Sequence, residues 1–177
     1  MFELSTNRLK IMPLNIQQLE LLKDDMEAFE KSIGLNLSDH EKFDEKTEKD
    51  IKNAWKFWIE GVKKNPFNYT WFTRWEIILK SENKIIGSCG FKGFPNNKGE
   101  VEIGYMIKPS YQNKGYMTEA LKEMVRFSFM HHRVNHVLAE TPQDNFPSHR
   151  VLIKNDFEIF KEKENNFWWK HSKYGKN

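Results

Sequence analysis

The sequence predicts a mixed α/β, or α+β, fold in a single domain covering residues 1–177. Several short runs alternate apolar and polar residues, the period of a half-buried strand, while longer runs repeat apolar residues every three or four positions, the period of a helix. In the middle of the chain a strand, a helix and a second strand follow one another between residues 101 and 141, the order of one βαβ crossover. No composition shift marks a linker, and a chain of 177 residues suits one compact core.

Each element has its own signal. RLKIMPL, residues 8–14, alternates apolar and charged residues and closes at Pro13, which predicts a first strand. From Asn15 to about Ile33, Ile16, Leu19, Leu22, Met26 and Phe29 recur at helical spacing. Ser38 and Glu41 then have the spacing of a capping box. Asp44 to Lys64 is the clearest amphipathic helix, with Ile51, Trp55, Trp58 and Val62 on one face and stop signals at Gly61 and Pro66.

TWFTRWEIILKSENKIIGSCGFKG reads as a hairpin whose second strand runs from Lys84 to about Phe91, with Gly87 and Gly90 marking a bulge or a close backbone approach. FPNNKGE is a loop, and Val101 to Ile107 is a strand. Residues 116–133 form a helix that turns Ala120, Leu121, Met124, Val125 and Met130 inward. NHVLAET is a strand, PSHRVLIKN a short helix opened by Pro147, and FWWKHSK a final strand.

Composition removes several function classes. Lys and Arg number 28 against 25 Asp and Glu, and the charges are interspersed, so no basic stripe for nucleic acid exists. The basic end, KHSKYGKN, is short and reads as a solvated tail. The single cysteine, Cys89, excludes an internal disulfide and suits a reducing compartment; in an apolar strand with no evident base it reads as packing. The N-terminus lacks the apolar core and cleavage site of a signal peptide, and no apolar run approaches the ~20 residues of a membrane helix. A soluble, cytoplasmic protein is expected.

The segment EIGYMIKPSYQNKGYMTEALKEMV, residues 102–125, joins a strand to a helix through a polar loop holding one glycine. A helix N-terminus fed by a loop leaves backbone N–H groups without partners, and with the helix dipole these make an anion site. Gly115 lets a bulky phosphate approach the backbone, so Gln112, Asn113, Lys114, Gly115, Tyr116 and Met117 are a candidate pyrophosphate cradle. Neither GxGxxG nor GxxxxGK[ST] occurs, which disfavours Rossmann and P-loop chemistry. A second element downstream, DNFPSHRVLIKNDF at residues 144–157, adds specificity.

Together the two elements resemble the Gcn5-related N-acetyltransferase (GNAT) superfamily, and within it the ribosomal-protein alanine acetyltransferase (RimJ/RimL-like) branch. The family's acetyl-CoA motif, Gln or Arg, then x-x-Gly-x-Gly or Ala, is similar to QNKGYM at 112–117. Its downstream motif, Asn-x-x-Ser-x-x-Val-x-x-Lys-x-Gly-Phe, is similar to Asn145, Ser148, Val151, Lys154 and Phe157. The resemblance covers roughly residues 6–170. It implies the GNAT acyl-CoA N-acyltransferase fold, with a mixed, mostly antiparallel sheet, helices on both faces and a splayed central strand pair.

The resemblance also implies a function: direct transfer of an acetyl group from acetyl-CoA to a primary amine in a ternary complex, without a metal. The acceptor would be a protein N-terminus or a small molecule such as an amino acid, polyamine or aminoglycoside. Backbone groups of Met106 and Ile107 would hold the pantetheine arm and thioester, Gln112 to Met117 with Thr118 the diphosphate, and Asn145 the pantetheine amide, unless Asn145 only caps its helix. Ser148 would sit near the thioester sulfur and protonate or orient the thiolate, or else cap the backbone. For the base, Glu102 is favoured, because a charge on a central strand is costly unless used or paired; it could instead face solvent or pair with Lys or Arg. Glu140 is the rival, five residues before Asn145 as in related alanine acetyltransferases.

Trp71, Arg74, Trp75 and Phe91 lie where relatives line the acceptor pocket, although aromatics on strands are usually core. His131, His132 and His136 have no partnering acid motif and read as surface residues rather than metal ligands. Three positions depart from the family pattern. Met117 stands where Gly or Ala is usual, and Asp156 replaces a Gly at a helix end. Leu152 occupies the place of a Tyr that many relatives use as general acid, so that role must be refilled. These departures keep a second hypothesis open, a non-catalytic acyl-CoA-binding or regulatory module. Family members are often dimers, and the FWWK strand is a candidate edge for a homodimer.

Overall fold

The structure, a computed structural model, describes residues 2–39, 41 and 44–175. Lys176 and Asn177, the end of the basic tail, lie outside the described residues. The described chain forms an eight-stranded sheet in the order β1-β2-β3-β4-β5-β6-β8-β7. The strands are β1 (Leu4–Ser5), β2 (Leu9–Pro13), β3 (Trp75–Leu79), β4 (Lys84–Phe91), β5 (Glu100–Ile107), β6 (His136–Pro142), β7 (Glu158–Lys163) and β8 (Asn166–Ser172). Neighbours are antiparallel except β5 and β6, which are parallel and joined by the crossover helix α4 (Tyr116–Met130).

Helices cover both faces. α1 (Ile16–Asp24), α2 (Met26–Ser32) and α3 (Glu45–Lys64) pack with Met12, Leu14, Ile78 and Ile85 in one cluster. α4 and α5 (Phe146–Ile153) lie against the larger cluster, which holds Trp75, Ile77, Phe91, Ile103, Leu121, Met124 and Leu152. Ile77 and Ile78 belong to different clusters because successive strand residues point to opposite faces.

Several expected elements differ in detail. The helical pattern from Asn15 to Ile33 is two helices, broken where Asp25 is extended (φ −153°, ψ 98°) and its carboxylate accepts from Ala28 N at 2.9 Å to start α2. Ser38 and Glu41 cap no helix. The Ser38 N–H donates to the Glu30 carboxylate, and Glu41 accepts from Ser110 N at 3.0 Å, so this segment is tied to the loop after β5. Trp71 ends a 3₁₀ turn, Pro66–Trp71, rather than lying in a strand, and α4 stops at Met130. The hairpin forms as expected, with a register irregularity between Ile77 and Ile78 opposite Gly87, where an added Cβ would lie 2.4 Å from Met106 O.

β7, EIFKEK, was not legible as a separate strand because every residue of it is exposed, so no apolar face imposes a period-two pattern. It also moves the expected edge: FWWK lies in β8, between β6 and β7, and the outer strand is β7.

One feature positions the site. β5 and β6 pair only at Glu100, Val101 and Glu102 against His136, Val137 and Leu138. Beyond that point β5 stays on β4 as far as Ile107, and β6 stays on β8 as far as Pro142, so a gap opens in the middle of the sheet.

Candidate active site

The gap leaves half of the β5 backbone without a strand partner. Lys92 N donates to Glu102 O at 2.8 Å and Lys108 N to Ile86 O at 2.8 Å, so the even-numbered residues of β5 bond to β4. The alternation of an antiparallel ladder therefore turns the N–H and C=O groups of Tyr105 and Ile107, beyond the last pair with β6, toward the gap. Ile107 is one of the two backbone positions expected to face a ligand. Met106 lines the gap, but its backbone belongs to the β4 ladder; Tyr105 takes its place, and strand parity was the signal that could have found it.

At the mouth of the gap the chain turns through Pro109–Tyr111 into α4. Gly115 is the N-cap, at φ +78°, a left-handed conformation that favours glycine. The first intrahelical bond runs from Glu119 N to Gly115 O at 3.1 Å, so the N–H groups of Tyr116, Met117 and Thr118 project from the helix end and, among the described residues, have no hydrogen-bond partner. A cavity of about 370 Å³ joins this helix end to the gap. Of the expected cofactor residues, Met106, Ile107, Gln112, Asn113, Gly115, Tyr116, Met117, Thr118, Asn145 and Ser148 line it. Lys114 does not; its carbonyl accepts from Arg8 Nη1 at 3.0 Å and its ammonium lies 5.3 Å from the Tyr111 ring centroid.

The far wall is α5. Asn145 Oδ1 accepts from Ser148 N at 3.2 Å, so Asn145 caps the helix while lining the cavity. Ser148 is half-buried, and among the described residues no hydrogen bond engages its hydroxyl. Beside it the Tyr105 hydroxyl donates to Ser148 O at 3.4 Å, and burial pushes the phenol well above its usual range, so it keeps its proton. Leu152, at the position of the missing tyrosine, is fully buried in the core and faces away from any ligand. Arg150 and Lys154 from α5, and Asp44 and Thr47 from the start of α3, complete the lining. A larger cavity of about 500 Å³ runs along the outer flank of α4, among Thr6, Glu123, Arg126 and His171, and touches neither strand of the gap.

The comparisons with known proteins agree with this geometry. Residues 15–158 match the family model for an acetyltransferase (GNAT) domain. The uncharacterized N-acetyltransferase YjdG of Bacillus subtilis (strain 168) is 31% identical over 156 residues, which cover 87% of this chain and 88% of that protein.

The chain belongs to the GNAT acetyltransferase family.

Solved structures show the same fold at low identity. The ribosomal-protein-S5-alanine acetyltransferase from Vibrio fischeri superposes with a TM-score of 0.67 over 97% of each chain at 14% identity. RimL, a ribosomal L7/L12 alpha-N-protein acetyltransferase solved in complex with coenzyme A, superposes with 0.63 over 97% of this chain and 98% of that one at 16% identity.

Within this GNAT domain the other expected site residues are dispersed. Trp71, Trp75 and Phe91 sit in the core beneath α4, packed with Phe127; Trp71 and Phe91 have ring centroids 4.8 Å apart and Trp75 and Phe127 5.1 Å apart. Arg74 is ion-paired with the buried Glu76, and its guanidinium lies 5.8 Å and 5.6 Å from the rings of Trp55 and Trp58. None of the four reaches the cavity. Glu102 lies at the last paired position before the gap, with a side chain 22% exposed and ion-paired with Lys92. Glu140, on the same sheet face, is exposed and accepts from Asn166 Nδ2 at 2.8 Å.

His131 stacks on His132 and meets Trp71 and Phe94 edge-on; burial and its cationic neighbours push its pKa down. His136 Nδ1 lies 3.0 Å from Ser172 Oγ. Among the described residues no group of three or more His, Cys, Asp or Glu is arranged to hold a metal, and no helix is long and apolar enough to cross a membrane. Cys89 is buried, and that burial pushes its thiol far up.

Proposed function

We propose that the chain binds acetyl-CoA in the gap between β5 and β6 and transfers its acetyl group directly to a primary amine, at a protein N-terminus or on a small molecule. The observation that carries this reading is the conjunction of a strand edge with free backbone groups, at Tyr105 and Ile107, and a helix N-terminus with free donors, at Tyr116 to Thr118, in one cavity. The helix end offers the N–H groups and positive dipole that a diphosphate requires, and the strand edge offers the amide partners that a pantetheine arm requires. The relatives solved as ribosomal-protein N-acetyltransferases favour an N-terminal amine as the acceptor.

In this reading Glu102, directly or through water, takes a proton from the acceptor ammonium; the freed amine attacks the thioester carbonyl carbon, the C–S bond breaks as the tetrahedral intermediate collapses, and the second proton on the new amide nitrogen passes to solvent. A backbone N–H at the β5 edge polarises the carbonyl oxygen. The departing sulfur takes the proton of the Tyr105 phenol, which is later replaced from solvent, so Tyr105 fills the role that Leu152 leaves vacant. Ser148, with its hydroxyl unengaged beside Tyr105, orients the thiolate. Glu102 is preferred over Glu140 because it is the more enclosed of the two and stands at the head of the gap.

The test is free-thiol release from acetyl-CoA against N-terminal peptides, amino acids, polyamines and aminoglycosides, with acetyl-CoA binding measured in parallel. Turnover with one acceptor class supports the transferase and names its substrate. Binding without turnover across the panel favours the non-catalytic acyl-CoA-binding module, and absence of binding removes the cofactor assignment.

A further inference from the structure

Lys92 and Glu102 face each other across β4 and β5. Their backbones are joined by the Lys92 N to Glu102 O bond of 2.8 Å, and the lysine ammonium is ion-paired with the carboxylate. The lysine side chain is 55% exposed. The next pair on this face is Gly90 and Gly104; backbone at Thr73 covers Gly90, but Gly104 stands open, so the surface dips between Glu102 and Met106. A Cβ built on Gly104 would meet a single side chain among the described residues, Lys92 Cε at 4.0 Å. The lysine thus reaches over the dip to place a primary ammonium on the carboxylate that stands at the head of the gap.

We infer that Lys92 stands in for the acceptor: its ammonium occupies Glu102 in the resting protein, and acceptor binding exchanges one ammonium for another. The inference rests on the proposed role of Glu102 as base. It makes Lys92 a specificity-determining residue, since an acceptor that arrives as an ammonium replaces like with like, whereas a neutral acceptor would break an ion pair and supply nothing in return. An exposed pair held by a long flexible chain is weak, so the exchange is shallow and reversible. Its effect is a tax on apparent acceptor affinity: the apparent dissociation constant is the intrinsic one divided by the fraction of protein in which Glu102 is free. Glu140 carries no such tax, because its described partner is the neutral amide of Asn166.

The test compares wild type, Lys92→Met and Lys92→Arg at saturating acetyl-CoA, with thiol release as readout and two probe acceptors, n-butylamine and a short peptide with a free N-terminal alanine. Met keeps the chain length and removes the charge. It should lower KM for both probes by roughly three- to fivefold, in KM rather than kcat, while Arg restores the wild-type KM. Equal rates in wild type and Lys92→Met, zero in both included, or a higher KM in Lys92→Met would overturn the inference. Calorimetry with acetyl-CoA on the same samples separates the two readings. Wild type that fails to bind acetyl-CoA counts against the proposed function, whereas intact binding with an unchanged KM counts against Lys92 alone.

Discussion

Arg8 and Glu119 are joined by an ion pair, Nε to Oε2 at 2.6 Å, that fastens the start of β2 to the first turn of α4. The same carboxylate accepts from Arg8 N at 2.9 Å and Thr6 Oγ1 at 2.6 Å. Arg8 also donates to Lys114 O at 3.0 Å, and its guanidinium lies 4.5 Å from the Tyr116 ring centroid. The loop that carries the candidate diphosphate site is therefore held from behind by a residue more than 100 positions away in sequence. Arg8→Ala should raise the acetyl-CoA Kd by about tenfold, read by calorimetry, with kcat at saturation little changed. Arg8→Lys should rescue poorly, because a single ammonium cannot reach the Glu119 carboxylate and Lys114 O while also stacking on the Tyr116 ring as the planar guanidinium does.

Gly115→Trp should abolish acetyl-CoA binding while the protein remains folded. An added Cβ meets Arg8 Nη2 at an ordinary 3.5 Å, so the cost to the fold is the strain of a side chain at φ +78°, about 1 kcal/mol. A thermal melt close to wild type with no calorimetric signal is the expected result; an unchanged affinity would remove the diphosphate from this loop.

Tyr105→Phe should lower kcat with acetyl-CoA by about 10²-fold without weakening acetyl-CoA binding. The loss should shrink when the donor is the acetyl thioester of an aryl thiol, whose thiolate leaves without a proton. A uniform loss with both donors would assign Tyr105 to packing.

Acid should weaken the Arg8–Glu119 fastening. Burial pushes the Glu119 carboxyl up, but the bonds from Thr6 and Arg8 outweigh it and hold the group below its ordinary 4.5. A carboxylate depressed in the folded state stabilises the protein above its unfolded pKa and loses that contribution as pH falls through the folded value. The difference in urea midpoint between wild type and Glu119→Gln should be largest near about pH 6 and shrink by about pH 3. A constant difference across that range would mean that the carboxylate charge contributes nothing.

The sequence was most informative where one residue type has few physical uses. Gly115 before an amphipathic helix marked a helix N-terminus with a left-handed cap, which local backbone geometry dictates, and the resemblance of the Asn145-to-Phe157 pattern to a family motif marked the helix that forms the second wall of the cavity. Trp71, Trp75 and Phe91 were ambiguous in sequence, since a core and a pocket both favour large rings, and the contact with Phe127 that decides between them is set by α4, far along the chain. The Lys92–Glu102 pair was open for a related reason: which cation meets Glu102 depends on the β4–β5 register, which no local pattern states. Tyr105 carries no local motif of its own, although the period-two rule applied to β5 separates 103, 105 and 107 from their neighbours; its meeting with α5 is a contact between elements distant in sequence.

The parity of β5 has a consequence for how this chain can vary. Its odd positions turn backbone toward the cofactor gap and send Tyr105 toward α5, while its even positions present Glu102, Gly104 and Met106 on the other face. In the proposed site one strand would thus face the cofactor and the acceptor in alternate steps. A deletion or insertion of a single residue between Glu102 and Tyr105 would break this alternation and bring the carboxylate and the phenol onto the same face. A substitution along β5 changes one side chain, whereas a shift of its frame would disturb both sides of the proposed site at once.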